Sequence, residues 1–193
     1  KCIGCQECIA PCPVTTVKNE FDFGMNDRRA IAFPFPGAMP NLPYIDMEAC
    51  LRANGDDCKK CQEPCPVEGA VNFGDAGAVL ERNVGAIILA IGADVYDCKN
   101  IPELGYGQLS GVYSSVEFER MLAANGPSAG EIKTPAGAAP AAIAIVHCAG
   151  SLDSEHKPYC SAVCCMTAFK FNHLIEKKLP GTKVYHLYKE ITL

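Results

Sequence analysis

Four cysteines stand within the first dozen residues, as Cys2-x2-Cys5-x2-Cys8-x3-Cys12, and Pro13 follows at once. No other feature restricts the fold so strongly. Three thiolates from one tight loop can wrap a face of a [4Fe–4S] cube, with two-residue gaps setting the wrap. Gly4 allows a backbone angle that other residues resist. The fourth thiolate of such a run faces away and belongs to a second cube, and Pro13 turns the chain and removes a backbone donor. Zinc usually draws on well-separated C-x2-C pairs, and four cysteines this close crowd one tetrahedral ion. Disulfides are the third alternative. The chain has 13 cysteines in 193 residues, an odd count that leaves one thiol over in a disulfide framework.

A second run, Cys50-x7-Cys58-x2-Cys61-x3-Cys65-Pro66, ends with the same C-x2-C-x3-C-P spacing. Its first gap is stretched, and Asn54-Gly55-Asp56-Asp57 reads as a loop that absorbs the insertion. Alone, this run could hold zinc; with the first it completes a two-fold repeat. The crossover rule of two-cluster ferredoxins assigns Cys2, Cys5, Cys8 and Cys65 to one cube and Cys50, Cys58, Cys61 and Cys12 to the other. The alternative is one cube per run. Between the runs, Phe21 to Pro43 is rich in Phe and Pro, which forbids a helix or a central strand. This arm is expected to cover the cubes with apolar surface, keeping water away and tuning potential. The alternative is a docking arm whose Arg28 and Arg29 meet a cofactor or an acidic partner, against the plainer reading of a solvated arginine pair.

Further on, Val84 to Ile91 reads as a fully buried parallel strand running into a turn at Gly92. Ser114 and Glu117 form a capping box for a helix over 115–124, which Asn125-Gly126-Pro127 stops. A Gly/Ala/Pro linker covers 128–140. Ala141 to Val146, Cys160 to about Lys178 and Lys183 to Tyr188 then read as strand, helix and strand, a βαβ unit and hence a parallel sheet. The glycine fingerprint of a nucleotide site is missing from its first turn, and cysteines take its place. With Cys160 and Cys164 at i and i+4 on one helix face, Cys165 at its edge and Cys148 ending the strand, four thiolates can converge where a helix N-terminus favours anions. The bland alternative is four small buried hydrophobes. Cys98 is left over as a bystander. His147, His156, His173 and His186 are scattered. His147, next to Cys148, could replace a thiolate, though packing is the plainer role. No Ser–His–Asp set or carboxylate pair is evident.

Acids outnumber bases 22 to 17, a formal charge of −5, which argues against a binder of nucleic-acid phosphates. No run approaches the roughly 18 to 20 apolar residues that span a bilayer. The chain starts at Lys1, one residue before the first motif, and is expected to be part of a longer polypeptide. Reduced thiolate ligands suit the cytoplasm.

The motifs form an ordered series. The first cysteine run leads to Arg29-Ala30-Ile31 with Pro34-Phe35-Pro36, to Tyr44-Ile45-Asp46 and to the second run. Val84-Gly85-Ala86-Ile87-Ile88, Gly105-Tyr106-Gly107 and Glu117-Phe118-Glu119-Arg120 come next. Cys148-x-Gly150-Ser151-x-Asp153 and Pro158-Tyr159-Cys160-Ser161-x2-Cys164-Cys165-Met166 close it. Over nearly its whole length the chain resembles the HdrA-like family of iron–sulfur flavoproteins, the A subunits of heterodisulfide reductase, with relatives in sulfate reducers and other anaerobes. The resemblance implies an α/β (mixed α+β) architecture: a two-cluster ferredoxin-like insert over 1–80, then part of a thioredoxin-reductase-like doubly wound parallel-sheet region. In that frame 81–140 holds the returning strand of an FAD-type domain, a helix and a linker, and 141–193 a nucleotide-binding-like βαβ unit. It further implies that Cys148, Cys160, Cys164 and Cys165 hold a third cluster in place of a nicotinamide site, and that Gly92 lies near FAD. The FAD itself is expected to be bound mainly by upstream sequence, and poorly or not at all by this chain alone. Leu152 and Ile91 stand where the family usually has Arg and Thr, which puts flavin contacts in doubt. The implied role is electron transfer among FAD and clusters, with heterodisulfide reductase B/C-like subunits and hydrogenase- or dehydrogenase-type donors as partners. A stand-alone polyferredoxin-type carrier and a zinc-stabilised interaction domain are the other function classes.

Overall fold

The computed structural model describes residues 1–192 and divides into two units, Lys1–Leu89 and Ala90 onward. In the first unit prolines and cysteine loops leave room for little regular structure. Strand β1 (Val17–Lys18) pairs antiparallel with β2 (Asp27–Arg28), and β3 (Ile31–Ala32) with β4 (Tyr44–Ile45). A single 3-10 turn, Glu20–Asp22, capped by the Asn19 side chain, sits between β1 and β2. The register sets Ile31 opposite Ile45. The buried core is small: Cys8, Cys12, Ala30 and Ile31, with Ile9, Val14, Ile45 and Val71 among the residues packed on it. The proline-rich arm is therefore neither helix nor wide sheet. Within it Ala30 and Ile31 are buried, while Phe35 and Met39 stay exposed.

Arg28 and Arg29 are not a solvated pair. The Arg28 side chain is only 8% exposed and bridges Glu20 and Asp46, with Nε donating to Glu20 Oε2 at 2.7 Å. Asp46 also accepts the amides of Glu48 and Ala49. One guanidinium thus ties the β1–β2 connection to the turn that delivers Cys50. Arg29 donates through Nη1 to the Cys12 carbonyl, bracing the first cysteine loop.

The second unit follows hydrophobic periodicity. Helix α1 (Ser115–Leu122) carries both halves of its capping box. Strands β5 (Ala142–Val146) and β6 (Lys183–Leu187) run parallel, Ala142 opposite Lys183 through Val146 opposite Leu187, joined by helix α2 (Cys164–Lys178). Alternation turns Ile143, Ile145 and Val184 toward the helix, where they pack around Ile132, Phe171 and Ile175. Phe118 of α1 meets Phe171 edge-on, centroids 5.1 Å apart.

Two elements differ from the sequence reading. Helix α2 begins at Cys164, not Cys160, because Ala162 takes a left-handed φ of 59° and breaks the helical path. Residues 84–91 form no strand; Ile87 and Ile88 are exposed. Among the described residues no strand pairs with this apolar segment, and a segment without a ladder partner leaves its backbone groups to solvent. Among the described residues no helix is long and apolar enough to cross a membrane.

Two outcomes follow from this packing. Ile175 is 0% exposed and Ile88 91% exposed. Ile175→Ala should lower unfolding stability by about 2–5 kcal/mol, and Ile88→Ala by no more than about 0.5 kcal/mol. Equal losses in urea denaturation would contradict the placement. The Arg28 hydrogen bond holds the Glu20 carboxyl at about 2 and Asp46 below its usual range. These carboxylates stabilise the fold fully above the ordinary Glu value of 4.5, and the contribution fades as pH falls toward 2. Glu20 is largely exposed, so solvent screens its part of this contribution, whereas Asp46 is better sheltered. Arg28→Met should flatten the acid limb of a stability–pH curve, and an unchanged limb would refute the role given to Arg28.

Candidate metal centres

Cysteines from the two runs line two cavities in the first unit, each with one foursome. Cys12, Cys50, Cys58 and Cys61 line one cavity. Cys2, Cys5, Cys8 and Cys65 line the other. Each foursome takes three sulfurs from one run and one from the other. Ile31, Ile45 and Phe73 border both cavities, so one apolar wall serves the two. That wall exists because the β3–β4 register sets Ile31 against Ile45.

The loops repeat one another in detail. The thiol before each Cys–Pro step donates to the carbonyl two residues on: Cys12 to Val14 at 3.6 Å, Cys65 to Val67 at 3.3 Å. Gly4 has φ of 72°, and a Cβ there would lie 2.7 Å from the Asn41 carbonyl oxygen, so glycine is required. Its amide donates to Cys2 Sγ at 3.4 Å.

Electrostatics divides the thiols the same way. Burial, more than any other effect, pushes the Cys61 thiol up to about 11, and the neighbours that add to the shift are Cys50, Cys58 and Cys12. Burial likewise raises Cys8, with Cys2, Cys65 and Cys5 adding to it. Ionising one thiol beside three others in poor solvent is unfavourable unless a cation neutralises the group. Eight soft sulfur donors in two foursomes, each around an apolar-walled space, fit a [4Fe–4S] cluster in each.

The third cysteine group is arranged differently. Cys148, just past β5, has φ of 57°, and its thiol donates to the Glu190 carbonyl at 3.6 Å. Cys160 lies ahead of α2 and does not share a helix face with Cys164; its sulfur accepts the Ala162 amide at 3.3 Å. Cys164 and Cys165 open the helix, whose N-terminus has no side-chain cap. Burial works against a Cys164 thiolate. Hydrogen bonds from the Cys148 amide and from the Ser161 and Cys165 side chains outweigh it and bring the thiol below its ordinary value. A histidine lies beside them: one ring nitrogen of His147 and the sulfurs of Cys164 and Cys165 all lie within 4.8 Å of one another. From the sequence, His147 could replace a thiolate or serve in packing. Period-two alternation puts 147 on the same face as Ile143 and Ile145, toward α2.

Cys98 starts a 3-10 turn, Cys98–Asn100, and borders neither cavity. Gly92 has φ of 77° with open space around its Cα.

No protein-family model matches the chain. Curated relatives do. The chain is 40% identical over 192 residues to the A subunit of the H(2):CoB-CoM heterodisulfide,ferredoxin reductase of Methanothermobacter marburgensis, covering 98% of this chain and 28% of that protein. It is 42% identical over the same shares to the second iron–sulfur A subunit of the CoB–CoM heterodisulfide reductase of Methanopyrus kandleri. It is 34% identical over 219 residues to the A subunit of the ferredoxin:CoB-CoM heterodisulfide reductase of Methanosarcina acetivorans, covering 98% and 27%. The chain spans about a quarter of the length of these relatives. Along nearly all of its own residues, the chain is similar to one stretch of the A subunits of the heterodisulfide reductases.

Proposed function

We propose that the chain is the electron-relay segment of a heterodisulfide-reductase-A-type oxidoreductase. In this reading it relays electrons between FAD, bound mainly by other parts of the protein, and several [4Fe–4S] clusters in a larger redox complex. The observation that carries the reading is the pair of cysteine foursomes, each lining its own cavity against a shared apolar wall. A cluster in each cavity would supply reversible one-electron chemistry. The chain's own residues do the rest. Cys2, Cys5, Cys8 and Cys65 bind at one cavity, and Cys12, Cys50, Cys58 and Cys61 at the other. Ile31, Ile45 and Phe73 keep water from both, and Arg28 and Arg29 fix the loops.

Cys148, Cys160, Cys164 and Cys165 are the ligands proposed for a third cluster, and Gly92 is placed near the flavin of the whole protein. The iron–sulfur designation carried by the Methanopyrus kandleri relative supports the cluster chemistry. Partners in this reading are B/C-like reductase subunits and hydrogenase- or dehydrogenase-type donors, working in the cytoplasm.

The test is metal content and cluster identity in anaerobically prepared protein. Three clusters give about twelve iron and twelve sulfide per chain; the two ferredoxin-type clusters alone give about eight of each. Cys65→Ala should abolish the same electron paramagnetic resonance signal as Cys5→Ala, and leave the signal lost in Cys58→Ala. If Cys65→Ala and Cys58→Ala remove one common signal, the crossed ligand sets are wrong. Zinc without sulfide, in protein never exposed to air, would overturn the relay itself.

A further inference from the structure

Two adjacent arginines of the first unit are treated in opposite ways. The Arg28 guanidinium bridges Glu20 and Asp46, so two carboxylates offset its charge. Arg29 enters none of the ion pairs of this unit among the described residues. It is half-buried, and its Nη1 donates to the carbonyl of Cys12. The backbone behind it is pinned. Arg28 Nη1 donates to the Arg29 carbonyl at 3.2 Å. The Ala30 amide donates to the Val14 carbonyl at 3.3 Å, and the Asp46 amide to the Ala30 carbonyl at 2.7 Å. An unneutralised cation is thus held on the main chain of one proposed cluster ligand.

The two cavities differ in what can answer an added negative charge. None of Cys12, Cys50, Cys58 and Cys61 is exposed, whereas Cys2 and Cys5 of the other foursome are. Lys60 also borders the Cys12 cavity, but it pairs with Glu63 and both side chains are mostly exposed, so solvent screens that charge. Among the described residues lining the Cys2 cavity, the charged side chain is Asp75. Reduction adds one negative charge to a cluster, and net charge, hydrogen bonds and solvent access set its cost. Water reaches the Cys2 and Cys5 side. At the Cys12 cavity water is scarcer, and a fixed charge acts more strongly in such a medium. An arginine also stays protonated at any working pH.

We propose that Arg29 sets the reduction potential at the Cys12, Cys50, Cys58 and Cys61 site, holding its charge beside the cluster through the Cys12 carbonyl. One electron leaves a reduced cofactor of the relay and enters this cluster, and no bond forms or breaks. The reduced form is the more negative, so the cation favours it and raises the potential. Arg28 braces the loop without adding net positive charge. The inference rests on the reading that these four cysteines hold a cluster, and it does not depend on the third cysteine group.

The experiment uses the full chain, prepared anaerobically as wild type, Arg29→Gln, Arg29→Met and Arg29→Lys. Each is titrated with dithionite through redox mediators while electron paramagnetic resonance follows the separate signals. Glutamine keeps a donor for the Cys12 carbonyl and removes the charge. The signal that Cys58→Ala abolishes should move to lower potential in both neutral variants, by roughly tenfold in the reduction equilibrium, about 59 mV for a one-electron couple. In Arg29→Lys it should stay within about twofold of the wild type. The signal that Cys5→Ala abolishes should hold its place in all three. Intact clusters with an unmoved potential in Arg29→Gln, or an equal shift in Arg29→Lys, overturn the proposal alone. Zinc without sulfide in the wild type overturns it together with the relay. If the neutral variants do not assemble that cluster, ¹⁵N-arginine labelling decides. Pulsed electron paramagnetic resonance of the reduced wild type should then show an arginine-nitrogen coupling that Arg29→Lys removes. No coupling in the wild type, or one kept in Arg29→Lys, refutes the placement.

Discussion

Convergence of eight sulfurs from two loops is the constraint on which the first unit depends. Its strands are two residues long, and two of its four buried core residues are cysteines. So little apolar burial does not offset the entropy of ordering a chain of this length. In the proposed reading, metal–thiolate bonding supplies the missing folding free energy, because an unfolded chain has no preformed site. The remaining devices in the unit serve the same convergence. Asp46 and Arg28 hold the turn before Cys50, Arg29 holds the carbonyl of Cys12, and Gly4 lets the first loop pass close to Asn41.

The second unit reaches stability by ordinary packing and then uses the result to place chemistry. The parallel register of β5 and β6 sets Ile145 opposite His186, and one step past β5 the two histidines meet. The crossover helix brings Cys164 and Cys165 to the same end of the strands. The strand–helix junction therefore brings a histidine and two thiols together.

What the sequence made legible was whatever is encoded locally. Cluster-loop spacing is a local ligand geometry, so both foursomes could be written down from the two runs, and the structure gathers the same residues around two cavities. The Ser114–Glu117 box marked the start of α1 because capping spans a single turn. The features that escaped depend on distant residues or on single backbone angles. Nothing in the residues around Ala162 signals its left-handed φ, and that angle takes Cys160 off the helix. Residues 84–91 have strand composition, but a strand also needs a neighbouring edge, which composition does not supply. Arg28 and Arg29 looked like surface charge because the carboxylate and carbonyl they meet lie many residues away. The contacts of His147 could not be read from its neighbours in the chain, because His186 and Asn172 come from β6 and α2.

The central claim is that thiolate–metal bonding organises residues 1–89 while residues after 90 hold their core without it. Hydrogen exchange on the full chain, before and after anaerobic iron chelation, tests it most directly. The account predicts that peptides from 1–89 lose protection, above all around the Asp46–Cys50 turn, while those over β5, β6 and the Phe171–Ile175 stretch of α2 keep theirs. Unchanged protection across 1–89 after iron is removed would contradict it.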